Sequence, residues 1–173
     1  MIRKSRTIAI ATALSFLTVF AGAAKAQTKA PDFSLRAIDG EPVTAESLRG
    51  EVAVLAFGAS WLPLSRNQLE GVKKLADDYS GRGVAVYWVS TDSESPKSKN
   101  YASDDQLRAL ARKYKVTVLR DPDGTVSKKL GVDQIPSIVI FDKQGNIAGG
   151  PIGGLDPTTS LATQLSARLD KIL

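Results

Sequence analysis

Three near-continuous apolar runs, Val52–Phe57, Val84–Val89 and Ser137–Phe141, constrain this chain more than any other feature. A strand that alternates polar and apolar residues buries one face. A continuous run buries both, which requires cover above and below the sheet. Between the first two runs, Asn67–Tyr79 places Leu69, Val72, Ala76 and Tyr79 on one helical stripe, and Gly81 and Gly83 end it. Strand, helix, strand in that order predicts parallel pairing through a right-handed crossover. The expected fold class is therefore α/β, a central mixed sheet with helices on both faces.

The rest of the chain fits that plan. Pro31–Leu35 reads as an edge strand, with a turn at Asp39–Gly40 and one helical turn over Ala45–Gly50. Asp92–Ser103 is polar and reads as an exposed, solvated loop. Ser103-Asp104-Asp105-Gln106 has the Ser-x-x-Gln form of a capping box, and the helix behind it would bury Leu107, Leu110, Ala111 and Tyr114. Val116–Leu119 is a short strand. Asp121–Gly124 turns into a short helix ending at Gly131, and Lys143–Asn146 is a hairpin turn. Asp156-Pro157 reads as the start of a last helix whose stripe is Leu161, Leu165, Leu169 and Ile172.

Residues 1–26 have the pattern of a secretory signal peptide. Arg3, Lys4 and Arg6 precede an apolar stretch from Thr7 to Ala24, and Ala24-Lys25-Ala26 offers small residues for cleavage after Ala26. The other reading is an uncleaved anchor, near the lower limit of a spanning helix. The chain then divides into residues 1–26 and one domain over 27–173. Four of the 23 basic residues and no acidic one lie in the first 26, so the remainder carries 19 basic against 18 acidic residues. No basic run interleaved with aromatics is present, and no nucleic-acid partner is expected.

The chain contains no cysteine and no histidine. That removes thiol-disulfide exchange, the Ser-His-Asp triad and the usual zinc, copper and haem ligand sets. No metal or other cofactor is expected.

Three blocks carry a family resemblance. They are Pro31-Asp32-Phe33 with Asp39-Gly40; Phe57 to Arg66; and Asp121-Pro122-Asp123-Gly124 through Gly131-Val132-Asp133-Gln134-Ile135-Pro136 to Gly145. Together they resemble the TlpA/ResA-type thioredoxin-like (redoxin) proteins over nearly all of 31–172. The resemblance implies a thioredoxin-like fold, a cis bond before Pro136 and a thiol-disulfide oxidoreductase ancestry. It also exposes a departure. Leu62 stands at the family's nucleophilic cysteine and Ser65 at its resolving cysteine, with Pro63 still between them. Ala56 lies on the strand where thioredoxin has a buried carboxylate.

The residues around this degenerate motif admit two uses each. Ser65-Arg66-Asn67-Gln68 spells another capping box, which competes with Ser65 as a nucleophile or as a hydroxyl holding a glutathione thiolate. Trp61, Leu62, Pro63 and Leu64 form an apolar tip that fits protein contact, or Leu62 packs against Pro136. The backbone of Ile135 could pair with an extended peptide as an added strand, or Pro136 only shapes its loop. The expected binding groove is thus Trp61, Leu62, Pro63, Leu64 and Ser65 facing Ile135 and Pro136.

The expectation is a periplasmic or secreted, redox-inactive module that binds an extracytoplasmic protein or peptide. It would meet a membrane only if the N-terminal segment stays uncleaved. Two alternatives remain: an enzyme with non-cysteine, glutathione-dependent chemistry, and a structural subunit.

Overall fold

The computed structural model describes residues 28–173; the expected signal segment and its cleavage site lie outside them. Along the chain run β1 (Thr28–Lys29), β2 (Ser34–Ala37), β3 (Val43–Thr44), β4 (Val52–Gly58), α1 (Pro63–Tyr79), β5 (Val84–Ser90), α2 (Asp104–Tyr114), β6 (Thr117–Arg120), α3 (Thr125–Lys129), β7 (Ser137–Phe141), β8 (Asn146–Ile147), β9 (Ile152–Gly153) and α4 (Leu161–Leu169). The sheet order is β1-β8-β7-β4-β5-β6-β2-β3, with β9 also on β7.

β4 is central and every one of its residues is buried. Its alternation sorts the core into two layers. Val52, Val54 and Ala56 join Leu69, Val72, Trp88, Leu107 and Leu165 on one face, under α1, α2 and α4. Ala53, Leu55 and Phe57 join Phe33, Leu35, Val126, Leu130 and Phe141 on the other, under α3 and the N-terminal segment. β4, β5 and β6 are parallel, whereas β7 and β2 run antiparallel to their neighbours, giving the mixed sheet.

Several local expectations need correction. α1 starts at Pro63 rather than Asn67, because Pro is well suited to the first helical position. Ala45–Gly50 forms turns, not a helical turn. At this end of the sheet the edge strand is β3: β2 pairs on both sides, with β3 and β6. β5 is buried at its ends but only partly so over Ala85–Tyr87. α4 starts at Leu161, capped by the Ser160 hydroxyl, which accepts from Thr163 N–H at 3.1 Å. The Asp156 carboxylate instead accepts from the N–H and hydroxyl of Thr158 and the hydroxyl of Thr159, folding the preceding segment into a turn. The capping box at Ser103 and Gln106 is present with both of its bonds.

Candidate functional site

The site is built where β4 gives way to α1. Gly58 ends the strand, and a Cβ there would lie 2.9 Å from both Ser65 Oγ and Gln68 Oε1. That vacancy lets α1 settle against the strand end. Leu62 N–H donates to the Ala59 carbonyl at 3.1 Å, and the Leu62 carbonyl accepts from Ser65 N–H at 3.0 Å. The Leu62 and Ser65 positions are thereby closed into one turn. Gly58→Ala is expected to cost about 1–3 kcal/mol through overpacking, read as a lower denaturant midpoint. An unchanged midpoint would show that Ser65 and Gln68 yield freely.

Ser65 is fully buried inside the first turn of α1, and it does not cap the helix. Its hydroxyl turns back and accepts from Ala59 N–H at 3.1 Å. Gln68, its expected capping partner, is also buried and bridges two distant strands. Its Oε1 accepts from Trp88 Nε1 at 3.3 Å and its Nε2 donates to the Ser137 carbonyl at 3.3 Å. Gln68 thus ties α1 to the residue that follows Pro136. The Ile135–Pro136 bond is cis, as the resemblance implies.

Asp92 holds the turn from the other side. It is fully buried, although it lies in the segment expected to be a solvated loop. Its carboxylate accepts from Ser60 N–H at 2.9 Å, Ser60 Oγ at 3.0 Å and Ser90 Oγ at 2.7 Å. Arg66 Nε donates to the Ser60 carbonyl at 2.9 Å. Arg120, also buried, donates to the carbonyls of Asp92 at 3.1 Å and Ala102 at 3.0 Å and to the Asp104 carboxylate at 2.6 Å. Sequence reasoning missed Asp92 and Arg120, and it gave Gln68 a capping role in place of the bridge it makes. A polar side chain on the buried stripe of α1 was the one usable signal, and it pointed only to Gln68.

The predicted groove residues divide. Leu64, Ile135 and Pro136 line a groove of about 480 Å³ together with Gly71, Leu155 and Leu161. Trp61, Leu62 and Pro63 do not line it. Trp61 is half exposed at the tip, Leu62 is partly buried, and Ser65 lies beneath the turn. The far wall is segment 154–160, which sequence reasoning did not include. Gln164 fixes that wall: its Nε2 donates to the carbonyls of Asp156 and Thr159 at 2.9 and 2.8 Å, and its Oε1 accepts from Asp156 N–H at 3.0 Å. Gly71 permits close approach across the floor, since a Cβ there would sit 3.0 Å from Leu161 Cβ.

Chemically, the motif turn presents neither a thiol nor an activated hydroxyl. The Ser65 hydroxyl is enclosed and the chain has no histidine to activate it. Among the described residues, no three His, Cys, Asp or Glu side chains gather as a metal site.

A model of the AhpC/TSA family matches residues 26–149. The chain belongs to the AhpC/TSA family. Over 127 residues it is 29% identical to the thioredoxin-like protein YneN of Bacillus subtilis (strain 168), covering 72% of this chain and 70% of that one. Against the thiol-disulfide oxidoreductase ResA of Bacillus thuringiensis subsp. konkukian (strain 97-27) it is 23% identical over 119 residues, 69% of this chain and 65% of ResA. The solved structure of MTB DsbF superposes with a TM-score of 0.62 at 26% identity, covering 82% of this chain and 95% of DsbF. The fold is thioredoxin-like, and the AhpC/TSA chain described here is related to thiol-disulfide oxidoreductases. It has no sulfur nucleophile with which to perform their reaction.

Proposed function

We propose that this protein is an exported, redox-inactive AhpC/TSA-family module that binds an extended segment of an extracytoplasmic protein. The observation that carries the reading is a groove with hydrogen-bonded walls beside a redox-motif turn that lacks both sulfurs. Leu64, Ile135 and Pro136 converge on it, and its walls are braced by Gln68 and Gln164. Walls held by satisfied hydrogen bonds need little ordering when a ligand binds. Export is supported by the basic start and apolar stretch of the first 26 residues. Among the described residues no helix is long and apolar enough to cross a membrane.

The test is a pull-down from a periplasmic extract with the parent protein and Ile135→Arg side by side. The arginine places a charge among apolar groove residues, and partner capture is expected to fall at least about tenfold, the loss of one buried anchor. Circular dichroism checks that the variant remains folded. Undiminished capture by folded Ile135→Arg would remove the groove from the function.

The glutathione-dependent alternative finds no support at Ser65, whose enclosed hydroxyl is already engaged by Ala59. Titration calorimetry with millimolar glutathione is expected to give no heat beyond dilution.

A further inference from the structure

We propose that the segment seated in this groove carries a lysine or arginine within two residues of a large apolar side chain. The inference rests on the groove being a peptide site and adds the charge that its partner must bring. The groove has an apolar lining that includes Leu64, Ile135, Leu155 and Leu161. Two acidic residues line it as well, Glu70 on α1 and Asp156 on the facing segment.

Neither carboxylate has an ion-pair partner among the described residues. Lys74 is the one basic residue lining the groove, and its Nζ is engaged by Asp78 at 2.8 Å. The Thr158 hydroxyl and N–H and the Thr159 hydroxyl hold the Asp156 carboxyl below the ordinary range, so it remains ionised at neutral and mildly acidic pH. Two carboxylates without an ion-pair partner beside an apolar trough disfavour an acidic occupant and favour a basic one. A basic side chain next to an apolar anchor satisfies both features. The volume, about 480 Å³, falls in the range of a small-ligand site and suits a short segment rather than a broad protein face.

Fluorescence polarisation tests this with two labelled seven-residue peptides, one alternating leucine and lysine and the other leucine and glutamate. The protein is expressed from its full chain. The lysine peptide is expected to bind about tenfold tighter than the glutamate peptide at ~50 mM salt, and the gap is expected to shrink at ~500 mM. Glu70→Gln combined with Asp156→Asn removes both charges, keeps the one acceptor oxygen to which Thr158 donates, and is expected to reduce the gap to about twofold. Ile135→Arg is expected to weaken both peptides.

Equal affinities that still respond to Ile135→Arg would overturn the charge preference and leave the groove standing. A lysine preference that survives the double variant would place the selection elsewhere on the surface and also overturn the proposal. Absence of binding by either peptide overturns it as well. In that case the periplasmic pull-down decides separately whether the groove binds anything.

Discussion

Arg120→Met is expected to lower the stability of the protein by about 3 kcal/mol, because it strips hydrogen bonds from buried carbonyls and leaves the Asp104 carboxylate short of a partner. The Arg120 guanidinium is buried at the end of β6, where it joins the 92–103 segment to the start of α2. A methionine can fill the volume but donates nothing. Urea unfolding of the two proteins measures the loss, and a difference below about 1 kcal/mol would show that water replaces the guanidinium. The damage is also expected to reach the redox-motif turn, since the backbone held by Arg120 carries Asp92, and Asp92 holds Ser60. Faster hydrogen exchange at the Ser60 amide reads that coupling.

Acid adds a second measurement on the same cluster. Hydrogen bonds from Arg36, and then from Arg120, hold the Asp104 carboxyl down at about 2. A carboxyl depressed in the folded state contributes stability above its unfolded value near 3.8, and loses it as pH falls through about 2. Asp104 is well exposed, so the contribution is screened. Arg120→Met removes one of its two guanidinium partners and moves the carboxyl back toward its ordinary range. The stability that the variant loses between neutral pH and about 2 is therefore expected to be smaller than the parent loses over the same range, measured as urea unfolding at a series of pH values. Equal losses would mean that Arg36 alone sets the carboxyl.

The second large effect is a gain. The double change Leu62→Cys with Ser65→Cys is expected to convert a protein with no insulin-reductase activity into one with measurable, reductant-dependent activity. Leu62 is the residue immediately before α1, with Pro63 following. A thiol there meets the positive end of the helix, which favours its thiolate. The Ser65 position lies one turn on, its N–H bonded to the Leu62 carbonyl at 3.0 Å, so the two sulfurs fall on neighbouring sites. The rate is expected to stay below that of a natural oxidoreductase, because Ala56 provides no buried carboxylate for proton transfer. A folded double variant without activity would show that the groove no longer presents a disulfide to position 62.

The apolar runs determined the fold class by themselves. A strand with no polar face has to be covered twice, and β4 is buried along its whole length between two core layers. The missing thiol chemistry was equally legible, since it depends on composition and not on geometry. Tertiary structure decided the roles of the polar residues. Ser-x-x-Gln occurs at Ser103 and at Ser65, and the two spell the same local signal. At Ser103 both partners lie within one helical turn with nothing to compete, and the capping box forms. At Ser65, Pro63 starts the helix earlier, so the hydroxyl turns back to Ala59 while Gln68 reaches Trp88 and the Ser137 carbonyl. Asp92 and Arg120 follow the same logic. Asp92 meets Ser60, and Arg120 meets the 92–103 segment, across tens of residues of sequence. A buried polar group has to find a partner, but the sheet order decides which partner is within reach.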